Sequence, residues 1–308
     1  MNQFPTVAIL VAVYNVEKHL EALLSSLLAQ DYPSIQIHLR DNCSKDRTRE
    51  ILKQWQQRYP EKIHLHFSPT NVGVIGNFAE LTEIGNAPYL MYCDGDDVWF
   101  PSKVSKTLAK MQQLEKEYGI SMPLLVHTDL QVVDEKLNVI APSFWKYSKL
   151  NTHEKCHQLP RLLVQNHVTG CTTMINRALK ELAAPIPLNC VMHDWWLALV
   201  AACFGKIGCI PEATMAYRQH SSNDTGAKAY GLLRYFKRKR SKPNHAIQKS
   251  TQVQQFIERY QFSLSKHDQT LLHAYLRLQK ASLVKKIALI IRHGFFKSGF
   301  LRNFILNH

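Results

Sequence analysis

Residues 7–13 read VAILVAV, and Tyr14-Asn15 follows them directly. A continuous apolar run rich in β-branched residues is typical of a strand buried on both faces of a parallel sheet. Between Glu17 and Ala29 the leucines recur at spacings of three and four, which predicts a helix with one apolar stripe. The chain is therefore expected to begin with a buried strand that leads through a polar turn into a helix.

The same alternation continues along the chain. Further strands and helices are predicted at 35–39, 48–59, 63–67, 73–85 and 89–93. This order predicts an α/β fold with a Rossmann-like, doubly wound and mostly parallel sheet, which binds ligands at the carboxyl ends of its strands. Asn15, Asp41 and Asp94 each follow a predicted strand, so we expect them to converge on one crevice.

An acidic cluster, Asp94-Gly95-Asp96-Asp97, follows the strand at 89–93. Carboxylates two residues apart at a strand end can face a divalent cation and the diphosphate that the cation neutralises. Oxygen ligands favour Mg²⁺ or Mn²⁺. The alternative is an acidic surface turn, because short acidic triplets are common. The buried strand before the cluster and Val98-Trp99 after it favour the metal site.

Six motifs occur along residues 5–226 in the order of a known enzyme family. They are Val13-Tyr14-Asn15, Asp41-Asn42-Cys43-Ser44-Lys45-Asp46, Asn71-Val72-Gly73 with Asn77, Asp94-Gly95-Asp96-Asp97-Val98-Trp99, His193-Asp194-Trp195-Trp196 and Tyr217-Arg218-Gln219-His220. In this pattern the chain resembles inverting, family 2 glycosyltransferases with the GT-A fold. The acidic, tandem-Trp and His220 motifs are most similar to those of bacterial rhamnosyltransferases and related O-antigen or capsule enzymes.

The resemblance implies an activity. A sugar would pass from a UDP- or dTDP-sugar, with dTDP-rhamnose among the candidates, to a hydroxyl of a glycan or lipid-linked glycan in cell-surface polysaccharide synthesis. Two other classes compete with this interpretation. A sugar nucleotidyltransferase would need a Gly-rich basic loop after the first strand, which 13–17 lacks. A non-catalytic module that binds nucleotides or nucleic acid would not need intact Asp96, Asp194 and His220.

The resemblance also implies a nucleotide-sugar site. Tyr14-Asn15 would lie under the nucleotide, and Asp41 would accept the N3–H that uracil and thymine share. Asp94 and Asp96 would contact the ribose, the diphosphate and the metal. The complete predicted set is Val13, Tyr14, Asn15, Asp41, Asn71, Gly73, Asn77, Asp94, Gly95 and Asp96. An Asx turn before Thr48 is the alternative for Asp41, and the two roles are compatible.

The catalytic and acceptor assignments come from the same resemblance. Asp194 would be the base that removes the proton from the acceptor hydroxyl, and burial beside Trp195 and Trp196 would raise its basicity. One of these two indoles would stack on the acceptor sugar while the other packs in the core. His220 would bind the metal together with Asp96, and a neutral imidazole suits Mn²⁺ better than Mg²⁺.

Two of the chain's departures from the family pattern lie next to residues of the predicted site. His193 stands where the family usually has Glu, and the resemblance assigns no role to it. Gly76 stands where many relatives carry Arg next to the Asn of the third motif. A basic contact to the nucleotide is therefore either missing or supplied from elsewhere in the chain.

Charge divides the 308 residues into two parts. The net charge is +14, yet residues 1–226 carry 21 Lys and Arg against 22 Asp and Glu, whereas residues 227–308 carry 17 against two. We therefore expect a catalytic domain at 1–226 and a basic helical extension at 227–308, which begins with the basic run at 237–240. Such a surface fits anionic lipid headgroups better here than nucleic acid. Its helical pattern fits either a membrane-interface helix or a cap packed on the catalytic domain.

The number and spacing of the cysteines indicate the cellular compartment of the protein. The seven cysteines are odd in number and lack the paired spacing of a zinc site. No charged leader with a cleavable apolar core is recognisable at the N-terminus. Together these features predict reduced thiols and a cytoplasmic protein, with peripheral contact to the inner membrane face.

Overall fold

The computed structural model describes residues 4–150, 154–219, 243–299 and 303. The strands of this part are β1 (Val7–Val13), β2 (Ile35–Asp41), β3 (Ile63–Phe67), β4 (Tyr89–Asp94), β5 (Val98–Trp99), β6 (Leu124–Val133), β7 (Val139–Ala141), β8 (Thr173–Asn176) and β9 (Lys206–Arg218). The helices are α1 (Leu20–Leu28), α2 (Thr48–Arg58), α3 (Gly73–Ile84), α4 (Lys103–Tyr118), α5 (Phe144–Tyr147), α6 (Leu159–Val164), α7 (Arg177–Ala183), α8 (His193–Phe204), α9 (Pro243–Tyr260), α10 (Lys266–Lys280) and α11 (Leu283–His293).

All described strands belong to one sheet. Its order is β3-β2-β1-β4-β8-β6-β9-β5, and β7 pairs with β6. The first four strands of this order run parallel, as the alternation of strands and helices predicts. Beyond β4 the sheet becomes mixed, because β8 pairs antiparallel with both β4 and β6. The predicted α/β class with a mostly parallel sheet is confirmed.

Strand β1 is the centre of the parallel part, and its side chains serve two hydrophobic cores. Ala8 and Leu10 belong to the core formed with α3 and α8, whereas Val7, Ile9 and Val11 belong to the core formed with α1 and α4. Burial on both faces explains the continuous apolar run, since neither face of the strand meets water. The polar residues of this segment are therefore confined to the carboxyl end of the strand.

The C-terminal helices share a core with the catalytic body. Phe256 of α9 lies 5.3 Å from Trp196 of α8 between ring centroids, and the Tyr260 hydroxyl donates a 2.9 Å hydrogen bond to the Leu182 carbonyl. Leu272 and Tyr275 of α10 are fully buried in the same core. Of the two interpretations of the extension, packing on the body is thus observed for α9 and α10. The predicted domain boundary at 226 lies outside the described residues.

None of the helices in the described ranges is both long enough and apolar enough to span a bilayer. All seven cysteines lie within these ranges and are free thiols, four of them buried.

We predict that the core shared by α8 and α9 contributes strongly to stability. Phe256→Ala should lower the free energy of unfolding by about 3–5 kcal/mol, because it removes a fully buried ring and leaves a cavity. The matched control is Phe262→Ala, since Phe262 is 95% exposed and its loss should change stability by at most about 0.5 kcal/mol. Urea denaturation measures both values, and equal effects would mean that α9 does not belong to the folded core.

Candidate active site

The site lies at the carboxyl ends of β1, β2 and β4. In the parallel register Val13 is opposite Asp41, and Ala12 is opposite Asp94. The ends of these strands, which are far apart in sequence, are therefore neighbours at one edge of the sheet, the candidate crevice, and convergence of Asn15, Asp41 and Asp94 on a ligand stays a prediction. Tyr14, directly after β1, is 45% exposed.

Asn15 connects the loop after β1 to the loop after β2. Its backbone adopts a left-handed conformation, with φ of 51°, which Asn tolerates better than most residues. The Asn15 backbone N–H donates to the Ser44 hydroxyl at 2.9 Å, and its side-chain oxygen accepts from the Lys45 backbone N–H at 2.8 Å. The nearby Val16 N–H donates to the Thr48 hydroxyl. In this structure Asn15 therefore positions the second loop.

Asn42 connects the loops after β2 and β3. Its backbone N–H donates to the Val13 carbonyl, and its side chain donates to Asn71 Oδ1 at 2.9 Å. The Asn42 side-chain oxygen accepts from the Val72 N–H at 2.9 Å. Gly73, with φ of +75°, begins α3 and donates its N–H to Asn71. The predicted residues Asn71 and Gly73 thus belong to the crevice wall, which Asn42 holds in place.

Asp41 is fully buried at the end of β2. Its two carboxylate oxygens each accept a hydrogen bond of 3.2 Å from the Ser44 backbone N–H. Arg49 from the first turn of α2 forms an ion pair with the same carboxylate. Asp41 therefore stabilises the local turn that follows β2, which is its alternative role. Its contact with a nucleotide base remains a prediction.

Asn77 lies behind the crevice. Its side-chain oxygen accepts from Arg40 Nη1 at 2.6 Å, and its amide nitrogen donates to the Arg40 carbonyl at 3.2 Å. Arg40 also pairs with Glu80. Because Asn77 is buried and both its polar atoms are engaged, it supports the end of β2 in this structure, and a nucleotide contact through Asn77 stays a prediction.

The acidic cluster forms a tight turn after β4. A Cβ on Gly95 would lie 3.1 Å from the Ala12 carbonyl oxygen, so this close approach favours glycine. Asp97 Oδ2 accepts the Asp94 backbone N–H at 3.0 Å, while Asp97 Oδ1 is buried without a hydrogen-bond partner. Burial and then the charges of Asp94 and Asp96 raise the pKa of the Asp97 carboxyl well above its usual range.

The crowding of these carboxylates is the observation that fits a divalent cation. Oxygens of Asp94 and Asp97 lie within 4.8 Å of each other and of the Cys171 sulfur. Burial raises the pKa of the Cys171 thiol well above its usual range, so the oxygens and not the thiol suit Mg²⁺ or Mn²⁺. Asp96 lies in the same turn, and Arg218 at the end of β9 donates to its carbonyl at 3.3 Å. His220, the second predicted ligand, lies outside the described residues.

Asp194 is the second residue of α8 and is held by a neighbouring loop. Its Oδ1 accepts from the Asn166 side-chain amide at 3.1 Å, and its Oδ2 accepts from the Gly170 backbone N–H at 2.9 Å. Burial raises the pKa of Asp194 to about 7, while hydrogen bonds from the Trp195 backbone, Gly170 and Asn166 act in the opposite direction. A carboxyl that titrates near neutral pH can act as a general base there.

One turn connects Asp194 to the acidic cluster. Gly170 donates its N–H to Asp194, and the next residue, Cys171, places its sulfur against Asp94 and Asp97. The structure therefore brings the predicted base and the predicted metal turn to adjoining residues of one short segment. Asn166 and Gly170 were not predicted as site residues, because a loop Asn and a Gly carry no spacing signal by which a sequence would reveal them.

His193 occupies an apolar position beside the predicted base. Its ring stacks on Phe78 with 4.0 Å between centroids, and burial lowers its pKa to about 3. A Cβ on Gly170 would lie 2.9 Å from His193 Nε2, so a larger residue at 170 would displace the imidazole. His193 is thus a neutral packing residue, and its ring lies directly against the backbone of Gly170.

The acceptor-binding prediction for Trp195 and Trp196 needs correction. Both indoles are buried: Trp195 Nε1–H donates to the Leu162 carbonyl, and Trp196 Nε1–H donates to the Ala183 carbonyl. Trp196 has no exposed surface and packs against Phe256. Helix α8 is apolar around its whole circumference, so these rings fill the core and do not present a face to a sugar.

The chain is an α/β protein that places the predicted site residues at the carboxyl ends of parallel strands. The model of glycosyl transferase family 2 matches residues 8–181, which is more than half of the chain. The chain belongs to glycosyl transferase family 2.

Sequence relatives agree with this membership. RfbG of Shigella flexneri, named a dTDP-rhamnosyl transferase, is 27% identical over 239 residues, which cover 73% of this chain and 76% of RfbG. TuaG of Bacillus subtilis, named as a teichuronic acid biosynthesis glycosyltransferase, is 25% identical over 226 residues, 72% of this chain and 84% of TuaG. An uncharacterized protein of Mycobacterium tuberculosis is 26% identical over 211 residues, 68% of this chain. The match spans only 57% of that mycobacterial protein.

Solved structures show the same fold. TarS residues 1–349 from S. aureus, in complex with UDP-GlcNAc, superposes with a TM-score of 0.58 at 17% identity and covers 93% of this chain and 79% of that chain. The mannosyltransferase PcManGT from Pyrobaculum calidifontis, in complex with GDP-Man and Mn²⁺, gives a TM-score of 0.55 at 17% identity, with coverage of 99% and 79%. The GT-A fold that the sequence motifs predict is confirmed.

Proposed function

We propose that this chain is an inverting glycosyltransferase that moves a sugar from a UDP- or dTDP-sugar to a hydroxyl of a glycan or lipid-linked glycan. The observation that carries the proposal is the turn at Gly170-Cys171. Gly170 donates a hydrogen bond to Asp194, whose pKa is raised to about 7, and Cys171 lies next to Asp94 and Asp97 at the end of β4. Family membership favours glycosyl transfer over nucleotidyl transfer and over a non-catalytic module. The relatives RfbG and TuaG support a role in cell-surface polysaccharide synthesis, with dTDP-rhamnose as one candidate donor.

In the proposed reaction, the acceptor hydroxyl lies next to Asp194. The carboxylate takes the hydroxyl proton while the oxygen attacks the anomeric carbon of the donor. The bond between that carbon and the diphosphate oxygen breaks, and the nucleoside diphosphate leaves with the bonding electron pair. Because attack comes from the face opposite the leaving group, the configuration at the anomeric carbon inverts.

The leaving diphosphate gathers negative charge beside Asp94 and Asp96. We propose that Asp96 and His220 hold a Mn²⁺ or Mg²⁺ ion there, with Asp94 close to it. When bound, this ion supplies the counter-charge for the diphosphate. The carboxylate crowding at the end of β4 supports this assignment. Burial and then repulsion from Asp94 and Asp96 raise the pKa of Asp97, and a cation relieves the repulsion.

Helix α11 supports a second part of the proposal, which is peripheral binding to an anionic membrane. The helix packs inward through Ile290, whereas four of its aliphatic side chains are 43–78% exposed: Leu283, Val284, Ile287 and Ile291. Lys285 and Arg292 flank them, and no Asp or Glu occurs in the sequence after Asp268. An apolar stripe in an acid-free, basic surface is complementary to a bilayer with negative headgroups. Each basic residue at such a surface contributes about 1 kcal/mol.

We expect Asp194→Asn to separate binding from chemistry. The amide keeps the shape of the side chain but cannot accept the proton, so transfer should fall by about 10²-fold to 10⁴-fold while nucleotide binding persists. A panel of UDP- and dTDP-sugars identifies the donor through release of the nucleoside diphosphate. Asp31→Asn, at an exposed carboxylate, serves as the control and should keep wild-type turnover.

The same assignment predicts a pH profile and a stereochemical outcome. Since the base must be ionised and the Asp194 pKa is raised to about 7, kcat/KM should fall as pH drops below about 7. NMR of the product should show an inverted anomeric centre. Retention of configuration, or wild-type turnover in Asp194→Asn, would remove Asp194 from its proposed role.

We expect turnover to require a divalent cation and Asp96. Chelation by excess EDTA should abolish nucleoside diphosphate release, and added Mn²⁺ or Mg²⁺ should restore it. Asp96→Ala should leave the fold intact but stay inactive after metal is added, because the diphosphate lacks its counter-charge. Undiminished activity in excess chelator would contradict the metal assignment.

We expect the full-length protein to co-sediment with phosphatidylglycerol vesicles at low salt and to ignore phosphatidylcholine vesicles. Ile291→Asp should weaken this binding at least about tenfold, because it places a charge in the apolar stripe of α11. The matched control is Ile120→Asp, since Ile120 is 78% exposed in the catalytic body and should be neutral. Equal binding by Ile291→Asp and wild type, or no binding by wild type, would refute the membrane role of α11.

A further inference from the structure

One loop supplies two donors to the Asp194 carboxylate. The Asn166 amide nitrogen and the Gly170 backbone N–H donate to its two oxygens. The Asn166 side-chain oxygen accepts the Val168 N–H at 3.0 Å, so both ends of this amide are engaged and its nitrogen is turned toward Asp194. Residues 165–169 form neither helix nor strand. The position of Asn166 therefore depends on what packs against this loop.

The chain that follows α11 packs on the loop through residues 295–299, which we call the C-terminal strap. The Ser298 backbone N–H donates to Gln165 Oε1 at 2.8 Å, and the Ser298 hydroxyl shares a 2.8 Å hydrogen bond with His167 Nε2. Gln165 and His167 are the two neighbours of Asn166 in the sequence. One residue of the strap therefore contacts the loop on both sides of the side chain that holds Asp194.

The contact between the strap and the loop is buried and anchored. Ser298 is buried, and Arg161 of α6, just before the loop, donates to the Phe296 carbonyl at 2.9 Å. The Phe295 ring is fully buried, with its centroid 6.0 Å from that of Tyr275 in α10. A buried hydrogen bond that loses one partner leaves the other group desolvated, so this arrangement is costly to break.

We propose that Ser298 is a positioning residue for Asp194 and acts through Asn166. This inference rests on the proposed function, because it requires that Asp194 takes the proton of the acceptor hydroxyl. Ser298 holds the two neighbours of Asn166, and the Asn166 amide then sets the direction of the carboxylate. A displacement of a catalytic group by about 1 Å can cost as much as 10²-fold in rate. The strap therefore affects the chemical step and not the binding of the donor.

The test measures kcat and the donor KM of Ser298→Ala, which removes the hydroxyl that bonds His167. Nucleoside diphosphate release is followed with the UDP- or dTDP-sugar that the donor panel selects. We expect kcat to fall by about tenfold to 10²-fold, while the donor KM stays within about twofold of wild type.

The matched control is Tyr260→Phe. This variant also removes one hydroxyl hydrogen bond between a C-terminal helix and the body, but the acceptor is the Leu182 carbonyl in α7. It should keep wild-type kcat, and urea denaturation should show a comparable loss of stability in Tyr260→Phe and Ser298→Ala.

A double-mutant cycle with Asn166→Ala tests the route. If Ser298 acts through Asn166, Ser298→Ala should lower kcat by less than about twofold when Asn166→Ala is already present. Gln165→Met removes the acceptor of the Ser298 N–H from a partly exposed residue. It should behave in the same way in both backgrounds, and it replaces Ser298→Ala if that variant does not fold.

The outcomes separate the proposal from the proposed function. Wild-type kcat in folded Ser298→Ala, or losses that multiply in the double variant, would overturn the role of the strap. An equal fall of kcat in Tyr260→Phe would also overturn it, since lost stability would then explain the effect. If Asp194→Asn keeps wild-type turnover as well, the proposed function itself fails, because the strap then has no base to position.

Discussion

The register between three parallel strands is the constraint on which the crevice depends. Val13 lies opposite Asp41 and Ala12 lies opposite Asp94, so β1 fixes the separation of the two carboxyl ends that form the site. A slip by one residue would exchange the two faces of β1. Such a slip would move Leu10 and Ile9 each into the core that the other now occupies, and the two cores are packed differently. Because packing fixes the register of β1 in this way, it also fixes where the polar residues after the strand lie.

Much of this arrangement could be predicted from the sequence. The sheet follows from the buried strand at 7–13 and from the alternation of strands and helices. The acidic cluster after β4 indicates the edge of the sheet at which the site is predicted. These features are local, because a strand pattern and the residue that follows it lie together in the chain. The placement of Asp194 depended on the family resemblance, since nothing near it in sequence indicates that it lies next to the acidic turn.

The remainder could not be predicted because it depends on tertiary contacts. Asn166 and Gly170 hold Asp194 from another loop, and Arg218 holds the backbone of Asp96 from the end of β9. The resemblance predicts that one of the tandem Trp rings stacks on the acceptor sugar, but both rings are buried and both indoles donate to core carbonyls. Whether an aromatic pair faces water or the core depends on what packs over its helix, and here that partner begins more than 40 residues later in the chain, at α9.

The C-terminal helices α9 and α10 pack into the same core as α8. Helix α9 covers Trp196, and the Gln252 side chain accepts the Val191 N–H just before α8 begins. In the first turn of α8, burial raises the pKa of Asp194 to about 7. A carboxyl in that position costs stability when it ionises, because its hydrogen bonds from Asn166 and Gly170 offset only part of the desolvation. The core shared by α8, α9 and α10 supplies apolar burial that offsets such a cost, and its residues come from both sides of the predicted boundary at 226.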